Sequence, residues 1–328
     1  EFGGPSFRYL SNARENRSEA STLIDFSGSA HIQSSYLSGS RLETESGFPQ
    51  PVGTFVNGIS NQPRDGLFTS GSWTFEGVYR FPTTSSLSSV TQSLARMQTT
   101  GSAISGSFVV ANLLATQNSG LTFAVSPNIG TPSILTMSLA VDVFDGSVWH
   151  ISFGRQRADE IASTVSSSYF LRAAKQSFGE LTTMQVTSSF FDEIGTSSVN
   201  NIAWSNKSAP GNASGSFIAI GLETILTGIV HLNTGSLDSF YRSTAFDGRA
   251  GHFRFWSKAL TQAEWTEHVR NFKSLGVENP LVNFNFVVNQ TGSFGRLRMD
   301  VSSDQVELAS SNTGFLQLTD FSQNNLHW

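Results

Sequence analysis

The feature that most constrains this chain is a short alternation of apolar with polar or small residues, broken again and again by Ser, Gly, Asn and Pro. Trp73 and Phe75 alternate with Thr74 and Glu76, and Tyr79 and Phe81 flank Arg80. Leu135, Met137, Leu139 and Val141 alternate with Thr136, Ser138 and Ala140. Segments 120–125, 148–153 and 215–220 have the same texture. In an extended chain, successive side chains point to opposite faces, so a period of two places every apolar residue on one face. Such segments between turn residues read as half-buried antiparallel strands. Their number predicts an all-β fold, an antiparallel β-sandwich of the jelly-roll kind. A chain of 328 residues is long enough to fill its core.

Composition narrows the function classes. Charged residues are 14% of the chain, against ~25% in an average domain, and 52 Ser and 28 Thr fill the gap. With 20 Lys plus Arg and a net charge of −5 there is no broad basic surface, so no nucleic-acid partner is expected. The absence of Cys removes disulfide and thiolate chemistry. No apolar run approaches the ~20 residues that cross a bilayer as a helix, so no membrane insertion is expected. The chain opens on Glu1 without a signal-peptide pattern, which fits a start within a longer protein or a cloning remnant.

Two segments carry helical spacing. Thr261 followed by Glu264 forms a capping-box pattern, Leu260 and Trp265 stand where a hydrophobic staple would, and Trp265, Val269 and Phe272 share one face. This predicts a short helix starting within two residues of Thr261. Leu87, Val90, Leu94 and Met97 suggest a second helix over 87–98. An internal echo joins Leu23-Ile24-Asp25-Phe26-Ser27 to Leu318-Thr319-Asp320-Phe321-Ser322, with four of five positions matching. It reads either as chance in a Ser-rich chain or as the opening of a further copy.

The stretch 244–261, with Asp247-Gly248, the alternating Phe253 and Phe255, Trp256 and then Ala259-Leu260-Thr261, resembles the last strand and exit helix of the laminin-G-like, or concanavalin-like, jelly-roll family. Asp145-Gly146 followed by Trp149-His150 resembles that family's central strand, and 215–221 a strand that ends in Gly. Asp25-Phe26-Ser27 and Asp320-Phe321-Ser322 resemble its opening motif. The resemblance covers residues 23–272. It divides the chain into a lead-in or linker at 1–22, a jelly roll at 23–272, and a C-terminal β extension or start of a further domain at 273–328. The Ser-Gly-Ser text and residues 291–298 resemble phage virion and tail-fibre proteins of the cyanophage type. Strands at 281–288 and 315–318 are expected to be ordered mainly by contacts outside residues 23–272, with neighbouring subunits.

His150 and Ser152 share a strand face near Asp142 and Asp145, the raw material of a triad. No Gly-x-Ser-x-Gly elbow surrounds Ser152, and the family's Trp-His at this strand is structural, so a structural role is expected. Glycoside hydrolysis needs two carboxylates ~5–9 Å apart. The Glu-x-Asp-x-x-Glu spacing of the hydrolytic branch is absent, and Asp192 and Glu193 would point to opposite faces of a strand. No cofactor is implied, except calcium, the usual rim ligand of the family. Its candidate ligands are Asp142, Asp145 and Asp247, and turn formation by Asp-Gly is the competing role. Trp204, Tyr241 and Trp256 are candidates for an exposed platform that stacks on sugars. Sequons at Asn16, Asn206, Asn212 and Asn289 are no more than this Asn-, Ser- and Thr-rich composition would give by chance.

These readings together describe a non-enzymatic virion structural or appendage protein, on a particle or extracellular. Its expected partners are other copies, other virion proteins or surface glycans. A secreted bacterial adhesin or carbohydrate-binding module is the alternative, and a polysaccharide hydrolase the third reading.

Overall fold

The computed structural model describes residues 24–25, 32–33, 72–83, 91–99, 110–126, 135–157, 165–177, 180–192, 216–221, 244–256, 258–272, 274, 297–308 and 316–320. These form fifteen strands and one helix. In chain order the strands are β1 (Ile24–Asp25), β2 (Ile32–Gln33), β3 (Trp73–Arg80), β4 (Thr91–Thr99), β5 (Val110–Thr116), β6 (Gly120–Ser126), β7 (Leu135–Leu139), β8 (Val148–Arg157), β9 (Val165–Ser177), β10 (Glu180–Asp192), β11 (Ser216–Ile220), β12 (Thr244–Ala245), β13 (Arg249–Trp256), β14 (Leu297–Leu308) and β15 (Leu316–Asp320). The helix α1 spans Gln262–Arg270.

Sheet A runs β10-β9-β8-β3-β13-β14-β15, with β1 also paired to β13. Sheet B runs β2-β11-β4-β5-β6-β7, with β12 on β4. Almost all pairs are antiparallel; β12 on β4 is parallel. The chain builds β3 in sheet A, crosses for β4–β7, returns for β8–β10, crosses for β11 and β12 and returns with β13. This is the expected all-β sandwich.

The alternation read from the sequence sorts the core. β7 reads buried, exposed, buried, exposed, buried from Leu135 to Leu139. Trp73, Phe75, Trp149, Phe153, Phe253 and Phe255 lie on strands and are at most 1% exposed. Phe153 joins the two sheets. Its ring lies 4.9 Å from that of Phe123 on β6, and 5.3 Å and 5.8 Å from those of Phe75 and Trp73 on β3. The β5–β6 turn needs left-handed backbone at Asn118 (φ 64°) and Gly120 (φ 88°), and a Cβ at Gly120 would meet the Leu139 carbonyl oxygen at 2.2 Å.

Helix α1 begins one residue after Thr261. The Thr261 hydroxyl accepts from Glu264 N–H (3.2 Å), and Glu264 in return accepts from Thr261 N–H (2.8 Å). Three expectations are corrected. The staple does not form: Leu260 clusters with Trp256 and Leu297, and Trp265 with Ala174 and Val269. Where 87–98 was expected to be helical, residues 91–98 lie in strand β4 and 87–90 lie outside the described residues. A bulge between Ser93 and Ala95 turns both Leu94 and Ala95 into the core, which imitates helical spacing. The C-terminal strands join the main sheet rather than contacts elsewhere: β14 pairs with β13, Met299 and Val301 enter the core, and β15 pairs with β14. Residues 281–288 lie outside the described residues.

Candidate functional site

Each sheet has an outer face with a polar row, and the two differ in access. On sheet A, cross-strand register lines up Asp300, Arg254, Glu76, Ser152, Arg172 and Gln185 on six neighbouring strands. Trp265 and Val269 of α1 pack on Ala174 of this face, so the helix covers the row. Glu76 is 3% exposed. Its carboxylate accepts from Trp256 Nε1 at 2.9 Å, and His268 Nδ1 lies 3.0 Å away. Arg254 Nη1 stands 3.9 Å from the same carboxylate, and its Nε donates to Asp300 at 3.0 Å. The remaining Arg254 donors reach the carbonyls of Ser274 and Phe272. Arg172 donates to Gln185 Oε1 and to the Leu260 carbonyl, both at 2.9 Å, with its guanidinium 4.1 Å from the Phe170 ring centre.

This enclosure moves two ionisations in opposite balances. Burial alone would raise the Glu76 carboxyl. The charge and hydrogen bond of His268, then Arg254 and Trp256, outweigh it and hold the group at about 2. Burial dominates at His150 and pushes its imidazole down to about 3, so it stays neutral. His150 Nε2 and Ser152 Oγ are buried without hydrogen-bond partners among the described residues. They therefore do not form the base–nucleophile hydrogen bond that an activated serine requires.

On the outer face of sheet B, the register aligns Gln33, Ala219, Arg96, Asn112, Ala124 and Thr136 in one row, and Ser93, Leu114, Thr122 and Ser138 in the next. Arg96 and Asn112 are buried, and the rows open toward β7, where Thr136 and Ser138 are exposed. Thr122 and Ser138 share a hydroxyl hydrogen bond of 3.3 Å. Asn112, 1% exposed, has no hydrogen-bond partner at either Oδ1 or Nδ2 among the described residues. A buried primary amide with its hydrogen-bonding capacity unused is uncommon, because stripping it of water costs ~1–3 kcal/mol. Sequence reasoning did not single out Asn112, since its importance comes from the register of β5 between β4 and β6.

The residues expected to form sites fall as follows. Trp204 and Tyr241 lie outside the described residues. Trp256 offers no platform to a sugar: it is fully buried, hydrogen-bonded to Glu76, and stacked on His268 with ring centres 5.4 Å apart. The error came from reading strand position without the helix that covers that face. Asp142 accepts from Phe144 N–H at 3.2 Å. Asp145 accepts from Ser147 N–H at 2.8 Å and Trp149 Nε1 at 3.1 Å, and pairs with Lys175 at 2.7 Å. Partial burial would raise its carboxyl, but Lys175 and the other donors hold it below the usual aspartate range. Asp247 is half-buried, and its N–H donates to Gln92 Oε1 at 3.1 Å. The carboxylates of Asp142 and Asp145 thus serve their own turns. Among the described residues no group of three or more His, Asp and Glu is placed to hold a metal ion, and no helix is long and apolar enough to cross a membrane.

No family model matches the chain, and no curated protein matches its sequence. Among solved structures the chain is similar to the enzymatically active domain of tailspike protein 2 from bacteriophage CBA120, at 14% identity and a TM-score of 0.34, over 62% of this chain and 25% of that one. It thus spans about a quarter of that tailspike chain. It is also similar to the CBM40 of the Ruminococcus gnavus IT-sialidase, at 14% identity and a TM-score of 0.32, over 60% of this chain and 81% of that one. Scytalido-glutamic peptidase is a third, at 12% identity and a TM-score of 0.25, over 59% and 79%. These likenesses are partial, and no residue role is carried across from them.

Proposed function

We infer that the chain is a non-catalytic attachment module of the laminin-G-like type, carried on a virion or another extracellular appendage, and that it holds a glycan on the outer face of sheet B. The observation that carries this reading is the row of hydroxyls on the outer face of sheet B, with Thr136 and Ser138 exposed on β7 and Thr122 beside them on β6. Hydroxyl groups recognise the hydroxyls of a sugar through both donor and acceptor roles. Leu114, half-buried beside Thr122, gives an apolar surface for the C–H face of a ring. Neutral hydrogen bonds of this kind are insensitive to salt screening, which suits a surface with few charges. The strongly shifted Glu76 and His150 are sealed under α1, which weighs against the hydrolase reading.

The test is a glycan array followed by titration calorimetry with the full chain, alongside a reducing-sugar assay on any bound polysaccharide. Binding without turnover is the expected result. Thr136→Ala/Ser138→Ala should weaken it about tenfold, the loss of one or two net hydrogen bonds. A chain that binds no glycan, or a double variant that binds as well as the parent, overturns the assignment. Turnover would establish the hydrolase reading in its place. Proteomics and immuno-electron microscopy of particles then separate virion component from free adhesin.

A further inference from the structure

Strand β10 ends sheet A among the described residues and pairs on one side with β9. Its register with β9 runs unbroken over all 13 residues from Glu180 to Asp192. No residue from Glu180 to Ser189 is buried, whereas β9 beside it is buried from Tyr169 to Ala174. Solvent thus reaches β10 along its length. An edge strand presents a row of backbone N–H and C=O groups that template pairing with another strand, and folds blunt such edges with Lys, Pro, bulges or shortness. β10 carries none of these devices. Between Glu180 and Asp192 it has no charge, proline or glycine, and its pairing has no bulge.

The residues of this edge are complementary to themselves. From Thr182 to Ser188 they read alike in both directions about Gln185: hydroxyl, hydroxyl, apolar, amide, apolar, hydroxyl, hydroxyl. Two copies of a strand pair antiparallel about a two-fold axis. With the axis at Gln185, Met184 meets Val186, Thr183 meets Thr187 and Thr182 meets Ser188. The faces agree as well. Met184 and Val186 are half-buried against the main core, on the inner face. Thr183, Gln185 and Thr187 are exposed on the outer face, where Gln185 accepts from Arg172. The Met184–Val186 pairs would finish covering side chains that a single chain leaves half exposed. Apolar and Thr–Thr pairs are both favourable cross-strand neighbours. Moving the axis to Val186 sets Met184 against Ser188 and loses both matches.

We propose that two copies of the chain pair along β10, antiparallel about a two-fold axis at Gln185, so that sheet A runs continuously through a dimer. The contact is isologous, so it closes as a dimer. Main-chain hydrogen bonds supply affinity, and the side-chain pairs set the register. The hydroxyl row on the outer face of sheet B takes no part, so glycan binding and self-association fail independently.

The chain has no cysteine, so one introduced thiol reports the register. Residue 185 opposes its own copy only at the axis, and directly paired Cα atoms ~4.5–5.5 Å apart lie within disulfide reach. Under mild oxidation Gln185→Cys should yield about tenfold more covalent dimer than Thr183→Cys alone, as a specific contact requires. Thr183→Cys mixed with Thr187→Cys should cross-link as the mixed pair. Equal yields from all of these, or monomers alone, overturn the proposal. Thr183→Lys/Thr187→Lys sets like charges opposite each other twice and should raise the dimer dissociation constant about fivefold, whereas Thr183→Lys/Thr187→Glu sets opposite charges there and should restore it. Equal dissociation of the two double variants overturns the register. If the variants fail to fold, the unaltered chain decides. Its amides at 181–189 should exchange more slowly as concentration rises through a monomer–dimer equilibrium seen by sedimentation. No change in exchange there, or a monomer at every concentration up to ~100 μM, overturns pairing along β10.

Discussion

Replacing Glu76 by Gln tests whether the buried row of sheet A stabilises the fold through charge. The variant keeps the shape and an acceptor for Trp256 Nε1, but removes the charge facing His268 and Arg254. The carboxyl moves from its ordinary value of 4.5 to about 2 on folding. At ~1.4 kcal/mol per pKa unit, that is about 3 kcal/mol in favour of the folded state. The cost of breaking a buried ion pair, ~3–5 kcal/mol, agrees. Because the folded value is depressed, this stability is fully present above pH 4.5 and is lost as pH falls toward 2. Urea unfolding followed by tryptophan fluorescence should therefore show Glu76→Gln about 3 kcal/mol less stable at pH 7, with the gap shrinking by pH 3. His150 destabilises both chains as the pH falls below 6.5, and largely cancels in the difference. A gap under ~1 kcal/mol at pH 7, or one of the same size at pH 3, would refute the electrostatic account of this row.

Other outcomes follow from single contacts. His150→Leu should flatten the parent's loss of stability between pH 6.5 and 3, because the unfolded chain no longer takes up a proton that the fold excludes; a pH series of urea midpoints shows this. Thr261→Ala should cost ~1 kcal/mol through the lost cap, with near-zero change refuting the capping box. Phe153→Ala should cost ~3–5 kcal/mol, since its ring contacts both sheets. Replacing Met299 and Val301 by Ser should lower the thermal midpoint, whereas a C-terminal segment outside the main core would leave it unchanged.

Local rules that depend on near neighbours were legible in the residues alone. Period-two alternation gave the strands and the buried aromatics, because the pleat sends side chains to alternate faces whatever surrounds them. Thr261 and Glu264 marked the helix start, because a capping box closes within four residues. The bulge at Ser93–Ala95 was not legible: two adjacent core residues on one strand imitate a helical face, and only pairing with β5 reveals the extra residue. Nor was the burial of Trp256, an exposed-looking aromatic on a strand until α1 covers that face and Glu76, 180 positions away, accepts its N–H. The two polar rows have the same origin. Asp300, Arg254, Glu76, Ser152, Arg172 and Gln185 span more than two hundred residues of chain, and Asn112 stands beside Arg96 only because β5 pairs with β4. Local spacing decides which residues face the same way along one strand. Which strands become neighbours, and which faces are then sealed from water, is decided by long-range pairing that no local pattern encodes.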